Sequence, residues 1–283
     1  MTKPSHEGII KYDVEVLETH QGDSLDASLI ILGGVSMNTI KFDKKNVQVI
    51  AHRGLSGIET ENTNSAFVAA GNRSYFGIET DIHVTSDEKF IVIHDETTVR
   101  VSDTVVNVEE TPYTLLREVR LNNICKYDEE GLCKNDVRGD ILLPNLAEYV
   151  GIVRKYEKKC ILELKNRFEL KHIRMVLEEL KALNYIENVV FISFNLDNLI
   201  DLRSLLPEAE IQYLVYEYNE EVREKLNTYN FELDIKHIAL TPEVIDEVHS
   251  DGHKVNCWTV DKKEDGERLA DWGVDYITTN ILE

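Results

Sequence analysis

The amino-acid sequence predicts an α/β fold, a TIM-type (β/α)8 barrel. Eight short apolar runs alternate with helical patterns along the 283 residues, which is typical of a parallel sheet covered by helices. A single barrel of this kind commonly takes about 250 residues. The first apolar run leads into His52-Arg53-Gly54, whereas an open doubly wound sheet would carry a glycine-rich phosphate loop there. Eight repeats without such a loop favour closure into a barrel.

The predicted strands are apolar runs separated by polar or turn-forming residues. In chain order they are Val47–His52, Gly77–His83, Cys160–Lys165, Val189–Ser193, Ile211–Tyr216, His237–Leu240, Lys254–Val260 and Asp275–Thr278. A further run, Phe90–His94, follows the second strand after a short polar turn. Because a parallel crossover needs about a dozen residues or more, we predict a β-hairpin after strand 2 that returns His94 to the barrel mouth, beside Glu79 and Asp81.

Helical patterns fill the gaps between these runs. Apolar residues repeat at i, i+3, i+4 and i+7 within residues 145–158 and 169–183, as expected for one buried helix face. Thr241 as N-cap and Pro242 at the first helical position mark the start of a later helix. Asp261 is predicted to begin the last helix in the same manner.

Two segments lie outside the repeat. Residues 1–46 form an N-terminal arm or linker that could mediate oligomer or assembly contacts, and the barrel domain is assigned to residues 47–283. Charged, irregular residues at about 99–143 are predicted to form a mouth-side insertion, since binding loops gather at that end of a barrel. Cys125 and Cys133 fall in this insertion and could form a disulfide, although free thiols are favoured on redox-compartment grounds.

The composition excludes several kinds of partner. A net charge of −21, from 52 acidic and 31 basic residues, argues against a nucleic acid or an anionic membrane surface. No run approaches the roughly 20 apolar residues of a membrane span, so we expect no integral membrane segment. The first residues lack the apolar core of a signal peptide. We therefore expect a cytoplasmic location, or a surface- or virion-associated one if the arm belongs to a larger assembly.

Paired carboxylates on one strand are the clearest chemical signal. Glu79 and Asp81 occupy alternate positions of an apolar run and so project from the same face. Two buried anions need compensation, and one divalent cation with oxygen ligands, Ca²⁺ or Mg²⁺, is the simplest kind. His52 and His94 lie on either side in sequence and are candidates for proton transfer. The set suggests metal-assisted acid–base chemistry on a phosphate ester.

Further strand ends add charges and an aromatic ring. Glu163 and Lys165 repeat the alternate spacing, which fits a third metal carboxylate beside a lysine that holds a phosphate oxygen; an internal ion pair without a ligand is the alternative. Arg53 follows His52, where its guanidinium can bind phosphate oxygens bidentately. Trp258 ends the seventh strand and forms either an apolar wall for substrate or part of the core.

Seven short motifs, taken together, resemble the glycerophosphodiester phosphodiesterase family. They match in order and spacing over about residues 48–280 and are Ala51-His52-Arg53-Gly54, Glu61-Asn62-Thr63, Glu79-x-Asp81, His94-Asp95, Glu163-x-Lys165, Trp258-Thr259-Val260 and Thr278-Thr279-Asn280. The proline that usually precedes Glu-Asn-Thr in the family is Thr60 here, a difference that bears on loop rigidity more than on chemistry.

The resemblance implies a TIM-type barrel that uses a divalent cation to hydrolyse glycerophosphodiesters to an alcohol and glycerol 3-phosphate. By the family pattern, the metal ligands are Glu79, Asp81 and Glu163, the acid–base pair is His52 and His94, and the phosphate-holding residues are Arg53 and Lys165. Asn62 would support the site, and Glu61 could reach the surroundings of the metal. The pattern leaves open whether a cyclic phosphate forms or water attacks directly.

Two alternative interpretations remain. A phospholipase of the same superfamily shares the barrel and the paired histidines, but it needs an apolar membrane-facing rim that the polar insertion does not offer. A hydrolase or binding module for glycerol-phosphate polymers such as teichoic acid, within a larger surface or viral tail assembly, would give the arm a role. Because every predicted ligand and both histidines are present, an active hydrolase is favoured.

Overall fold

Eight parallel strands close into a barrel in the computed structural model, which describes residues 38–122 and 140–283. The strands are β1 (Gln48–Ala51), β2 (Gly77–Val84), β3 (Phe90–Val92), β4 (Lys159–Leu164), β5 (Val189–Ser193), β6 (Glu210–Val215), β7 (Glu232–Lys236), β8 (Val255–Trp258) and β9 (Tyr276–Thr279). All except β3 run parallel, and β1 pairs with both β2 and β9, which closes the sheet. The predicted barrel is confirmed.

The hairpin after the second strand is also confirmed. Strand β3 pairs antiparallel with β2, with Val92 opposite Ile82. The turn is closed by the backbone N–H of Thr85, which donates to the Lys89 carbonyl at 2.8 Å. Beyond β3, the Ile93 N–H donates to the Asp81 carbonyl at 3.2 Å. This bond holds the start of the following loop against β2, at the mouth of the barrel.

Eight α-helices lie between the strands of the described ranges. They are α1 (Asn64–Gly71), α2 (Tyr113–Leu116), α3 (Leu146–Lys155), α4 (Leu170–Ala182), α5 (Leu196–Leu205), α6 (Glu220–Tyr229), α7 (Pro242–Ser250) and α8 (Lys263–Trp272). Asn145 and Glu148 form a reciprocal capping box on α3. Thr241 caps α7 with proline at the first helical position, as predicted. None of these helices is both long and apolar enough to cross a bilayer.

The predicted cap at Asp261 is wrong. The N-cap of α8 is Lys262, which makes no side-chain capping bond. The Asp261 carboxylate instead accepts hydrogen bonds from the backbone N–H and the side-chain amide of Asn280, at 2.8 and 2.6 Å. It is therefore committed to the loop after β9 and is not available to the helix.

The strand predicted at His237–Leu240 is also wrong. The seventh barrel strand is Glu232–Lys236, and His237–Ala239 forms a 3-10 helix. Within β7, Leu233 and Ile235 pack in the outer core, while the alternate positions are charged. A strand with charged residues on its inner face lacks the continuous apolar run by which parallel strands are recognised.

Apolar packing divides into two layers around the sheet. The outer layer lies between strands and helices and takes Val49 and Ala51 from β1. Ile50 lies between them and projects from the other face of the strand, into a smaller apolar cluster. This cluster consists of Ile50, Ile161, Val190, Ile192, Leu214 and Tyr276. This inner cluster fills the barrel, so polar residues further along the same strand faces reach its mouth.

The described parts of the two added segments pack on the barrel. Ile40 forms a parallel bridge with Leu282. The insertion contributes to a third apolar cluster that covers the hairpin, made of Ile91, Ile93, Val108, Leu116, Val119, Leu121, Ile141 and Leu143. Residues 1–37 and 123–139 lie outside the described residues, and with them most of the predicted arm and the possible pairing of Cys125 with Cys133.

Candidate active site

Three carboxylates from two neighbouring strands converge at the barrel mouth. Asp81 on β2 is the register partner of Glu163 on β4, and Glu79 lies two residues before Asp81 on the same strand face. Ligand oxygens from the three side chains lie within 4.8 Å of one another, and all three residues are buried. The structure thus brings together the three carboxylates predicted from the sequence.

The carboxylates are not equivalent electrostatically. Burial and the nearby Asp81 raise the pKa of Glu79 well above its ordinary value. Burial and Asp81 likewise raise the pKa of Glu163 to about 8, although Lys165 opposes this. Burial also disfavours the charged form of Asp81, but Arg53 and Lys165 hold the pKa of that carboxyl far below its usual range. Arg53 and Lys165 therefore compensate the charge of Asp81 more fully than the charges of Glu79 and Glu163.

Two cationic side chains border this group. The guanidinium Nε of Arg53 lies 3.5 Å from Asp81 Oδ2. The backbone N–H of Arg53 donates to Glu79 Oε2 at 2.7 Å. Lys165 Nζ donates to Glu163 Oε1 at 2.7 Å and lies 3.6 Å from Asp81 Oδ1. Burial opposes the charge on Lys165, yet the two carboxylates raise its pKa above the ordinary value. Both side chains thus place positive charge beside the carboxylates, and Arg53 also lines the cavity at the mouth.

The loop after β1 positions Arg53 by a tight turn. Arg53 has φ +54° and Gly54 has φ +76°, and a β-carbon on Gly54 would lie 2.6 Å from the backbone of Ala66 in α1. Glycine is therefore required at this point for both conformation and space. The Arg53 carbonyl accepts from the Asn62 N–H at 2.9 Å, which ties the turn to the loop before α1.

Asn62 and Glu61 take different positions. The Asn62 side-chain amide donates to Asp81 Oδ2 at 2.8 Å, so the structure brings this predicted supporting residue to a carboxylate of the group. Glu61 is not part of the carboxylate group. It accepts from Arg53 Nη1 at 2.9 Å and from both terminal nitrogens of Arg100 at 2.6 and 2.8 Å.

The His52 ring is held by a hydrogen bond at Nδ1. Its Nδ1 donates to Asn280 Oδ1 at 2.8 Å, and Asn280 is fixed in turn by Asp261. The other ring nitrogen, Nε2, lies 4.0 Å from Glu79 Oε2. Burial and the charge of Arg53 lower the pKa of His52 to about 4, so the ring is neutral near pH 7.

His94 is held in the same manner by an acid. Its Nδ1 donates to Asp95 Oδ1 at 2.6 Å, and Asp95 Oδ2 accepts from Arg100 Nε at 2.7 Å. Burial lowers the pKa of His94 against the opposing effects of Asp81 and Asp95. His83, buried at the end of β2, contacts the His94 carbonyl at 3.1 Å through Nε2, which steadies the backbone of this loop.

Trp258 joins two further aromatic residues at the mouth. Its ring lies edge-on to those of Phe194 and Tyr216, with centroids 5.5 and 5.6 Å apart. The three rings form one wall of a cavity of about 260 Å³ that both histidines also line. The cavity is lined by His52, Arg53, Glu79, His94, Glu163, Ile192, Phe194, Leu214, Tyr216, Asp234, Trp258, Thr259 and Thr278.

Sequence reasoning missed three groups at this site. Arg100, from the insertion, links Glu61 to Asp95 and so connects the surroundings of both histidines. Asp261 was assigned to a helix cap. Asp234, on the strand that was misplaced, is buried beneath the cavity, and burial with the nearby Glu163 raises its pKa well above the ordinary value. In each case a tertiary contact, which no local sequence pattern indicates, places the residue.

Comparison with known sequences gives a consistent result. The model of a family described as the glycerophosphoryl diester phosphodiesterase family matches residues 52–283. A glycerophosphodiester phosphodiesterase of Caldanaerobacter subterraneus is 30% identical over 239 residues, which covers 83% of this chain and 94% of that protein. A protein of the same description from Bacillus altitudinis is 27% identical over 240 residues, covering 83% and 94%.

Solved structures share the fold. A glycerophosphodiester phosphodiesterase from Parabacteroides distasonis superposes with a TM-score of 0.68 at 26% identity, covering 83% of this chain and 93% of that one. A phosphodiesterase from Oleispira antarctica, in complex with the product sn-glycerol-3-phosphate, gives a TM-score of 0.73 at 24% identity, with 82% and 92% covered.

Fold, site and comparisons define the class of the protein as a TIM-barrel phosphodiesterase. More particularly, the chain belongs to the glycerophosphoryl diester phosphodiesterase family, since the family model spans the barrel from His52 onwards. Its enzyme class is that of a glycerophosphodiester phosphodiesterase.

Proposed function

We propose that this enzyme hydrolyses glycerophosphodiesters to an alcohol and glycerol 3-phosphate, with one divalent cation held by Glu79, Asp81 and Glu163. The observation that carries the proposal is the convergence of these carboxylates within 4.8 Å beside a cavity that both histidines line. The relatives from Caldanaerobacter subterraneus and Bacillus altitudinis are described as glycerophosphodiester phosphodiesterases, which supports the substrate class.

The carboxylates fit a divalent cation. Asp81 Oδ1 is buried and has no hydrogen-bond partner among the described residues, although an unpaired buried oxygen is unfavourable. Burial and the nearby Asp81 raise the pKa of Glu79 and of Glu163, and a cation bound among the three carboxylates would offset this repulsion. An all-oxygen set of this kind suits Mg²⁺ or Ca²⁺. A bound cation would supply charge neutralisation at the phosphate and at the leaving oxygen.

Arg53 and Lys165 bind the phosphate in this proposal. Arg53 follows β1 and Lys165 follows β4, the two strands that flank β2, so their charged groups lie on either side of Asp81. A guanidinium and an ammonium fixed in position stabilise negative charge that grows in the transition state without reorganising then. Glu61 and Arg100 fix the plane of the Arg53 guanidinium.

The two histidines divide the proton transfers. His52 is neutral, donates through Nδ1 and leaves Nε2 free, which suits it to remove a proton from the nucleophile, a substrate hydroxyl or water. His94 donates through Nδ1 to Asp95, whose carboxylate stabilises the protonated ring, which suits it to protonate the departing alkoxide. Both roles require heavy-atom distances of about 3 Å in the substrate complex.

A substrate panel tests the proposal. Purified protein with Mg²⁺ or Ca²⁺ is expected to release glycerol 3-phosphate from glycerophosphocholine or glycerophosphoethanolamine, and EDTA is expected to abolish this release. Polyglycerophosphate and a lysophospholipid serve as the alternative substrates. The proposal would be contradicted if polyglycerophosphate or the lysophospholipid were hydrolysed and the two glycerophosphodiesters were not. Hydrolysis of the glycerophosphodiesters that EDTA leaves unchanged would also contradict it. A Lys45→Ala variant, which alters a surface ion pair with Asp271, is a control for nonspecific charge effects.

A further inference from the structure

The floor of the cavity carries a polar cluster that the proposed mechanism does not use. It consists of Gln212 on β6, Asp234 on β7, Asn256 on β8 and Thr278 on β9, and each of these residues is less than 5% exposed. Barrel interiors are mostly filled by branched apolar side chains. Four buried polar residues on four consecutive strands therefore need a physical explanation.

Hydrogen bonds link the three uncharged residues of the cluster to one another. Asn256 Nδ2 donates to Gln212 Oε1 at 2.9 Å, and the Thr278 hydroxyl donates to Asn256 Oδ1 at 3.2 Å. Asp234 and Asn256 are register partners on β7 and β8, so the Asp234 side chain lies beside this hydrogen-bonded set.

One oxygen of Asp234 remains unused. Asp234 Oδ1 is buried and has no hydrogen-bond partner within the described ranges, and the residue lines the same cavity as His52 and Glu163. Leaving a buried acceptor unsatisfied is unfavourable by an amount comparable to a hydrogen bond. A group that enters the cavity and exchanges a hydrogen bond with this oxygen would remove the penalty.

We propose that Asp234 binds a hydroxyl group of the substrate's glycerol moiety at the floor of the cavity and so helps to select glycerol-bearing phosphodiesters. The inference rests on the proposed function, because it assigns a contact to the polyol half of that substrate. A site built to hydrogen-bond a substrate hydroxyl discriminates strongly against analogues that lack it, since its own buried group is then left unpaired.

The chemistry of the cluster favours a hydroxyl over other groups. No lysine, arginine or histidine nitrogen within the part of the chain that the structure describes forms an ion pair with Asp234, so no cation paired with this residue is placed to hold a phosphate there. The residues beside Asp234 in the cluster, Gln212, Asn256 and Thr278, are uncharged hydrogen-bonding groups, which suits a hydroxyl that both donates and accepts. An ammonium-bearing ligand is nevertheless a necessary comparison.

Calorimetric titration of the Mg²⁺-loaded protein tests the inference through a ligand series. The ligands are sn-glycerol 3-phosphate, propyl phosphate, which lacks both hydroxyls, and phosphoethanolamine, which carries an ammonium. The wild-type protein is expected to bind glycerol 3-phosphate about tenfold more tightly than propyl phosphate, the size of one good hydrogen bond. Asp234→Ala is expected to remove this preference while propyl phosphate binding changes less than about twofold.

Two further variants make the result interpretable. Asp234→Asn retains hydrogen-bonding atoms and is expected to keep the preference within about threefold. Glu232→Gln removes a carboxylate two residues earlier on the same strand, where it accepts from the Lys254 N–H, and is expected to change neither affinity. If Asp234→Ala does not fold, equal binding of the two phosphates by wild type still overturns the inference.

The possible outcomes separate the inference from the proposed function. Loss of affinity for phosphoethanolamine rather than for glycerol 3-phosphate in Asp234→Ala overturns the inference, as does an equal loss for all three ligands. If wild type hydrolyses glycerophosphocholine but shows no Asp234-dependent hydroxyl preference, the inference alone fails. If the preference is present but no glycerophosphodiester is hydrolysed, the proposed function fails and the hydroxyl contact stands.

Discussion

The two histidines at the cavity are held in the same way: Nδ1 forms a hydrogen bond within the protein, and Nε2 is the nitrogen proposed to transfer a proton. His52 donates to an amide oxygen and His94 to a carboxylate. Burial lowers the pKa of both rings; Arg53 adds to this at His52, while Asp81 and Asp95 oppose it at His94. In the proposed mechanism, the amide partner suits His52 to accept a proton, and the carboxylate partner suits His94 to donate one.

Removal of either imidazole is expected to lower kcat. His52→Ala and His94→Ala should each lose at least about a hundredfold in kcat on glycerophosphocholine, the low end of the range for acid–base catalysis. The measurement is a steady-state assay at saturating substrate and metal. His249→Ala, which removes an imidazole paired with Asp275 away from the cavity, should remain active. Near-full activity of either cavity variant would refute the assigned roles.

Asp95 also predicts a dependence of stability on pH. Burial opposes its charge, but Arg100 and His94 lower its pKa to about 2, below the ordinary value near 3.9. The charged carboxylate therefore stabilises the fold above about pH 4, and this contribution is lost as pH falls towards 2. Wild type should exceed Asp95→Asn in urea midpoint at pH 6, with the difference shrinking below pH 4. A difference that grows on acidification would contradict this assignment.

At the level of elements, the strand ends account for the position of most site residues. Alternation places Glu79 with Asp81, and Glu163 with Lys165, on inward faces, and the parallel register of β2 and β4 aligns Asp81 with Glu163. These positions were predictable because strand period and direction are local properties of the sequence. The hairpin was predictable for a similar reason, since a short connection excludes a parallel crossover.

The residues that sequence reasoning missed belong to irregular or atypical elements. Arg100 lies in the insertion, where no periodicity indicates which side chain reaches the mouth. Asp261 precedes a helix and was assigned by its sequence position to a cap, whereas a tertiary contact with Asn280 determines its place. Asp234 interrupts a strand whose inner face is charged, so the apolar signal pointed instead to residues 237–240. Tertiary contacts of this kind have no local signature.

The capping box of α3 offers a test at this scale. Asn145→Ala removes the acceptor for the Glu148 N–H, which lies 2.8 Å from the Asn145 side-chain oxygen. The free energy of unfolding should fall by about 1 kcal/mol, measured by urea denaturation at pH 7. Asn145→Asp keeps the acceptor and should lose less. A variant with alanine that is as stable as wild type would show that the cap does not stabilise the helix.

The whole molecule combines a strongly acidic chain with a cavity bordered by fixed cations. The net charge of −21 makes nonspecific attraction of polyanions unfavourable, while Arg53, Arg100 and Lys165 lie together around the carboxylates and histidines of the site. Closure of the barrel by β1 with β2 and β9 brings His52 and the β2 carboxylates to the same edge. Binding of a small anion therefore depends on the complete barrel.

Binding of one divalent cation by the carboxylate group is the central claim, and calorimetric titration of metal-free protein with Mg²⁺ and Ca²⁺ tests it most directly. Wild type should bind one ion per chain, and at a free-ion concentration of 100 Kd the ion should stabilise the fold by about 2.7 kcal/mol. Asp81→Asn and Glu163→Gln should weaken binding severely, while Glu232→Gln should not. A protein that binds no ion, or whose binding is unchanged in both carboxylate variants, would contradict the claim.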